Sequence, residues 1–545
     1  MGTSTADESA STTDINTELF GHPKGLYICF ATEMWERFSF YGLKYLLLLY
    51  VTKYHLFSDS AGYDILGAYA GLVYTLPLIG GLLADRYLGM RKAVLFGSIL
   101  LVMGHSLMAY EGSQAVRYSA GTTLDSNITL NDGSVMSAGT VLQEAVVIQD
   151  VVALNILFLA LALVTVGVGF LKPNVSTLVG KLYRTEDSRR DSGFTIFYMG
   201  INLGSFAATM LCGWLGETYG WGYGFGAAGI GMLIGMATFI YGQKHLQGQA
   251  EPPNPEELRE KLFGPITREW CIYAGSFLSL GLMWFMLQHE PIVHLAQNTL
   301  LLIALAGIPL YAFLTGTRDE FLRTLVLMAL IASTVVFWAL FEQSSGSMTL
   351  FADRILDRQL GDVEIKASMF GGLNAFFIIL CAPVFAVLWT WLSKRNLEPS
   401  TPAKFAFGIM LAGLGFGSLV LGAHFADENG KVAMLWLILA YFIHTSGELC
   451  LSPVGMSAVT KLSISRVVSV SMGTWFLAMA LSETVASRLG KMAAINVSGT
   501  SSGDQISALF HYTELFEFLM WAGLIVGLVM LVLTPLLKKG MRGIH

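Results

Sequence analysis

The sequence predicts an all-α polytopic membrane protein with about 14 transmembrane helices, arranged as six, two and six. Three observations carry this. Of the 545 residues, 54% are hydrophobic and only 13% charged, and the mean hydropathy of +0.59 lies outside the range of soluble globular chains. Apolar stretches of roughly 20 residues, the length that crosses a bilayer core about 30 Å thick, recur along the whole chain. The charge is also distributed unevenly between alternate loops: with the N-terminus inside, roughly 22 of the 33 Lys and Arg fall on the cytoplasmic side and about 8 outside.

The tail from Met1 to Gly21 is polar and carries Asp7, Glu8, Asp14 and Glu18, without the basic start or apolar core of a cleaved signal peptide. The first span, 26–50, therefore directs insertion itself. It contains Glu33, Glu36, Arg37 and Lys44. Each such charge costs about 2.5–3.5 kcal/mol at a bilayer centre, so it is kept only where it faces protein, water or a ligand. At 100° per residue Glu33, Arg37 and Lys44 fall within about 40° of one another, a polar stripe that must line an interior.

Further spans follow at 62–83, 92–110, 151–180, 193–214 and 222–242. Between the third and fourth, residues 111–150 form a long outward loop in which alternating stretches flank the turn signal Asn131-Asp132-Gly133, the pattern of a β-hairpin. After 242 the Pro-rich run QKHLQGQAEPPNPEELREKLFGPITR reads as a linker, with a short amphipathic helix over EELREKL. Two spans at 270–288 and 293–316 come next; their few polar groups, Gln288, His289, Glu290 and Gln297, cluster at the turn, so this pair is expected to pack against the outside of the other helices. Six more spans follow at 319–344, 368–393, 403–424, 432–455, 466–490 and 514–537. The expected domains are a cytoplasmic tail (1–24), a first six-helix bundle (25–242), a linker with two extra helices (243–317), and a second six-helix bundle with a cytoplasmic tail (318–545). The five cysteines lie scattered within apolar spans and point to neither disulfides nor a metal site.

Three deep residues outside the first span carry chemistry. Lys172 sits mid-span before Pro173, which removes a backbone donor and can kink the helix, and a buried ammonium there needs an anionic partner. Glu342 and Glu448 are deep carboxylates in the second half, each costly unless protonated, paired or facing an amine. Cations in the first half and carboxylates in the second suit a zwitterion held at the midplane between two bundles.

The run GGLLADRYLGMRK, 80–92, resembles the cytoplasmic motif of the major facilitator superfamily, whose paired glycines allow close helix approach and whose charges can latch a closed state. The match narrows at EMWERFSFYG, 33–42, which resembles the ExxERFxYYG signature of the proton-dependent oligopeptide transporter family. GFLKPNVSTLVG from Gly169, FYMGINLGSF from Phe197, FWALFEQSSGSM from Phe337 and SGELCLSPVGMS from Ser446 agree in order. The resemblance spans about 25–540 and implies a major facilitator fold of two six-helix bundles plus two central helices.

It also implies roles. Arg37, Tyr41 and Lys172 would hold a peptide carboxylate. Asn202, Asn374 and Glu448 would hold its amino group, and Tyr74, Trp338, Trp475 and Phe476 would shape side-chain pockets, with Glu342 and Ser452 completing the substrate set. Glu33 and Glu36 would couple protonation to Arg37, while Lys44 and Glu342 would approach each other across the cavity. Three departures stand out: Phe40 replaces a tyrosine, Lys44 an arginine, and Gly67 the histidine of mammalian members. His444, four residues before Glu448, could reach that carboxylate.

The expectation is a proton-coupled symporter importing di- and tripeptides by alternating access, not an enzyme. The alternatives are a symporter of nitrate or another organic anion, and a peptide receptor that does not transport. The proton would be the coupling ion, with no cofactor, no metal and no nucleic acid. The chain would work as a monomer in the bacterial inner membrane, both termini cytoplasmic.

Overall fold

The computed structural model describes residues 18–184, 187–246, 248–495 and 502–543, so most of the acidic N-terminal tail lies outside the described residues. The chain is overwhelmingly helical. In order come α1 (Lys24–Lys53), α2 (Asp59–Thr75), α3 (Pro77–Leu83), α4 (Gly89–Met108), α5 (Val151–Lys181), α6 (Arg190–Tyr219) and α7 (Trp221–Gly242). The short α8 (Pro255–Arg259), α9 (Arg268–Leu287) and α10 (Glu290–Thr315) follow. The last group is α11 (Arg318–Phe341), α12 (Ser347–Arg354), α13 (Gly372–Lys394), α14 (Thr401–Ala423), α15 (Met434–Leu462), α16 (Val468–Gly490) and α17 (Ser502–Gly540).

Helix boundaries follow local chemistry. The Ser58 hydroxyl accepts from the Ala61 amide at the start of α2, the Asp150 carboxylate from Ala153 at the start of α5, and Thr317 with Glu320 forms a reciprocal capping box on α11. The expected span 62–83 is broken at Leu76, because Pro77 opens a new helix at a position where its missing N–H is tolerated. A single π-helical turn, Ala84–Leu88, then leads to Gly89, whose φ of +72° ends the segment.

Twelve stretches among the described residues are long and apolar enough to cross a bilayer. The sequence suggested about 14. The difference has two causes: α1 carries four charges inside its apolar stretch besides Lys24 and Lys53 at its ends and is excluded on that ground, and 59–108 runs on as one stretch of 50 residues.

The outward loop folds as nested antiparallel pairs, Val116–Tyr118 with Val146–Ile148 and Ile128–Thr129 with Val135–Met136, closing on the Asn131–Gly133 turn. The linker departs from expectation. Its helix is only the five residues of α8, and Glu260 onward turns into a hairpin pairing Lys261–Phe263 with Ile266–Thr267. The β-branched pair Ile266 and Thr267 suits a strand, and Gly264 with φ +57° supplies the turn.

Close helix packing rests on missing side chains. At Gly80 on α3 a Cβ would lie 2.1 Å from the Gly169 carbonyl oxygen on α5, as the glycine pair in the motif implied. The Arg and Lys that follow do not reach the other half. Arg91 donates both to Glu251 (2.7 and 2.9 Å), Lys92 pairs with Glu269 at 2.6 Å, and the Arg91 hydrogen bonds hold the Glu251 carboxyl below its usual range.

At Gly204 on α6 a Cβ would lie 2.1 Å from the Met34 carbonyl oxygen on α1. Gly204→Ala is therefore expected to force these helices apart at about 1–3 kcal/mol, lowering the thermal midpoint of the detergent-solubilised protein by several degrees in a melt. An unchanged midpoint would show that α1 and α6 can separate freely.

Helices of the first group, α1, α4, α5, α6 and α7, pack on one another, as do α11, α14, α15 and α17 in the last group. The two groups meet along α2 against α16 and α6 against α13. Gly67 lies on this seam, where a Cβ would sit 2.6 Å from the Ser487 Cβ, so a histidine has no room there.

The two central helices do not merely lean on the outside. Gln297 of α10 donates to Thr75 of α2 at 3.0 Å and accepts from Thr484 of α16 at 3.3 Å, while His294 meets the same Thr484 at 3.0 Å. Glu290 takes a two-pronged contact from Arg488 at 3.1 and 3.3 Å. The polar residues of α10 thus recur along the helix at Glu290, His294 and Gln297, on one face at spacings of four and three, instead of clustering only at the turn.

Candidate functional site

Charged side chains gather where α1 passes between the two groups. Arg37 is 3% exposed and clamps Glu36 with its ε and η nitrogens, while Glu33 lies 3.6 Å away one turn earlier. The guanidinium also stacks over the Phe40 ring at 4.7 Å. Phe40, at the place of the expected tyrosine, is thereby part of the arginine's wall, and its ring stacks near Tyr69.

Two turns further on, Lys44 leaves this cluster and donates at 2.8 Å to Glu342 and at 2.8 Å to Glu483. Glu342 begins a 3-10 turn, Glu342–Ser345, where α11 ends, and that turn aims its carboxylate inward. Glu483 comes from the middle of α16. Sequence reasoning does not single out this residue, which sits between Ser482 and Thr484, although a carboxylate inside an apolar span is signal enough.

Lys172 is half-buried on α5 with its ammonium 4.2 Å from the Tyr74 ring centroid. Among the described residues no carboxylate lies within ion-pair distance of it, so its anionic partner is not supplied by this conformation of the protein. Glu448 on α15 is the mirror case. It is 8% exposed, accepts from the Asn374 amide at 2.9 Å, and has no cation within ion-pair distance among the described residues. Asn374 also reaches Thr445 at 3.1 Å, which fixes its orientation.

Asn202 is buried on α6 and donates to its own helix, to the Tyr198 carbonyl at 3.1 Å. Tyr41 is half-buried, with its ring 6.0 Å from Arg37 and stacked on Tyr45. Trp338 packs edge-on against Phe337 and Phe341, and its buried indole N–H has no partner among the described residues. Trp475 is more deeply set, 2% exposed, with its ring against Gly455 of α15 and near Phe405 of α14. Phe476 and Ser452 are half-buried, Ser452 one turn beyond Glu448. His444 does not join Glu448: its imidazole packs on α14, against the Phe416 ring at 4.7 Å and beside Gly415.

Among the described residues, the ion pairs seen to link the two groups outside this centre lie at one end, where α1 ends and α2 begins. Lys53 meets Asp353 at 2.8 Å, both Arg354 η nitrogens donate to Asp59 at 2.7 Å, and Lys491 pairs with Asp64. At the opposite end the described pairs stay within one group or the linker, as in Lys404 with Glu398 and Arg542 with Asp319.

A family model described as "POT family" matches residues 91–502. The chain is 34% identical over 529 residues to the peptide transporter YePEPT of Yersinia enterocolitica, covering 92% of each. It is 34% identical over 539 residues to an uncharacterised transporter of Bacillus subtilis, covering 96% of each. Among solved structures, a peptide transporter POT variant in complex with alafosfalin superposes with a TM-score of 0.76 at 31% identity, covering 96% of this chain and 97% of that one. A POT family transporter in complex with 5-aminolevulinic acid gives 0.74 at 27% identity, covering 96% and 98%.

Proposed function

Because the chain belongs to the POT family of multi-pass membrane transporters, with the fold of the major facilitator superfamily, we propose that it is a proton-coupled symporter importing di- and tripeptides. One observation carries the peptide reading most directly. Lys172 and Glu448 are deep charges of opposite sign, from opposite halves, and neither has an ionic partner among the described residues. A zwitterionic ligand supplies both partners at once, its carboxylate to Lys172 with Arg37 and its ammonium to Glu448. An anion such as nitrate would leave Glu448 without a use. The relatives named as peptide transporters support the same choice.

The protein acts by rocking 25–242 against 318–545. The ion pairs at the Asp59 end hold that mouth shut in this conformation, which faces the cytoplasm if the Lys- and Arg-rich loops lie inside. The membrane would be the bacterial inner membrane, both termini cytoplasmic. A proton moving down about 100 mV and one pH unit supplies about 3.7 kcal/mol, enough for a several-hundredfold peptide gradient.

The test is uptake of labelled dialanine into proteoliposomes under an imposed proton gradient. Accumulation above the external concentration supports the reading; binding without accumulation would make the protein a receptor, and uptake of nitrate in place of dialanine would make it an anion symporter. Lys172→Ala is expected to weaken dialanine binding by about tenfold or more and to affect dialanine amide less, since only the acid presents a full negative charge. Equal loss for both would assign Lys172 a structural role.

A further inference from the structure

From the cluster around Lys44 we infer that the coupling proton is shared by two carboxylates, Glu342 and Glu483, and reaches them through a water seated beneath Tyr63; this rests on the proton-coupled reading above. Lys44 lies between the two acids at 2.8 Å from each, with side-chain exposures of 2% for Lys44, 12% for Glu342 and 4% for Glu483. One ammonium balances one carboxylate. With both acids ionised the trio carries a net charge of −1 in a dry interior, and one bound proton makes it neutral while leaving Lys44 an ionised partner. A lone Glu342 would lack this property, since its protonation strands Lys44. The second acid lets the proton come and go without that penalty.

A cavity of about 10 Å³ adjoins both carboxylates, lined by Tyr63 and Leu66 of α2, Ser345 and Gly346 of the 3-10 turn, and Ala486 and Ser487 of α16. That is room for roughly one water. Tyr63 is 1% exposed, and its hydroxyl has no hydrogen-bond partner among the described residues. Its neighbours on the far side are Asp59, Arg354 and Tyr512, the group that closes one mouth of the protein. Tyr63 therefore stands between that closed mouth and the acid pair. Gly490 makes the position possible, since a Cβ there would come within 2.5 Å of the Tyr63 ring. The other ionisable groups facing the trio are Tyr41 and Tyr45 on α1, Tyr69 and Tyr74 on α2, Lys172 on α5, and Tyr441 and Glu448 on α15. None of them touches Lys44 within ion-pair distance.

In the proposed step a proton arriving from the outer solution as hydronium at the cavity passes to one carboxylate oxygen: one O–H bond of the hydronium breaks, the new O–H bond forms on the carboxylate, neutral water remains in the cavity, and Lys44 keeps its three protons and the other ion pair. When Asp59 and Arg354 part, that water exchanges with the outer solution.

Two readouts test this in the full-length protein. Infrared difference spectra across a pH titration in detergent should show one protonated-carboxyl band that disappears in Glu483→Gln and also in Glu342→Gln. In proteoliposomes Glu483→Gln should lose gradient-driven accumulation of dialanine, with exchange of labelled for unlabelled peptide continuing at a reduced rate, and Glu483→Asp should recover part of the accumulation. Tyr63→Phe should slow gradient-driven uptake several-fold with binding intact, and it guards against a misfolded Glu483 variant. If the wild type accumulates dialanine while Glu483→Gln matches it and keeps the band, the shared site is wrong and the transport reading stands. If the wild type does not accumulate peptide, the proton-coupled reading falls, and the infrared band alone decides whether the acids share a proton.

Discussion

Glu342→Gln is expected to reduce dialanine accumulation under a proton gradient from a several-hundredfold ratio to the equilibrium value of about one, while exchange across the membrane continues. The ion pair at 2.8 Å between Lys44 and Glu342 joins the first and last groups of helices, so its making and breaking biases one arrangement of the halves over the other. Glutamine reproduces the shape of the protonated acid and cannot return to the charged form. The bias is then fixed, and a proton no longer changes it. Coupling requires that difference between states, whatever the order of binding. Exchange needs only that the loaded carrier reorient, and Lys44 still has Glu483. The measurement pairs uphill uptake with counterflow in one vesicle preparation after binding has been confirmed. Undiminished accumulation would remove Glu342 from coupling and turn attention to Glu33 and Glu36.

The second large effect lies at the amine end. Glu448→Gln keeps the hydrogen-bond geometry with Asn374 nearly intact but removes the charge, so dialanine binding should weaken by about 1.5–3 kcal/mol, roughly ten- to a hundredfold. N-acetyl-dialanine has no ammonium and should lose far less. Binding of both ligands, measured by calorimetry at one pH, separates the two cases. Equal losses would mean that Glu448 serves the α13–α15 contact through Asn374 and not the ligand.

Much of this was legible in the chain because it depends on local rules. Hydropathy located most spans to within a few residues, though α17 begins well before the expected 514 and α15 runs on past 455, and four charges in one apolar stretch marked α1 as the lining of an interior. The i, i+4 spacing placed Glu33 beside Arg37. What stayed hidden depends on contacts between residues far apart in the sequence. Glu483 meets Lys44 across 439 positions, and no periodicity reports such a pairing. His444 lies one turn from Glu448, yet its packing on Phe416 is decided by α14. EELREKL has a helix's composition, but Gly264 and the β-branched pair beyond it turn its second half into a strand.

The contacts of α10 bear on how such a chain could be shortened. Its Gln297 lies on Thr75, next to Tyr74, and on Thr484, next to Glu483, while Glu290 neutralises Arg488. Excising 268–315 would leave the Arg488 guanidinium without its carboxylate, whereas the Thr75 and Thr484 hydroxyls would keep their own-helix acceptors at Gly71 and Leu481. The hairpin is therefore not a detachable ornament. Its loss calls for a neutral replacement at Arg488, so the hairpin and that position on α16 form one heritable unit.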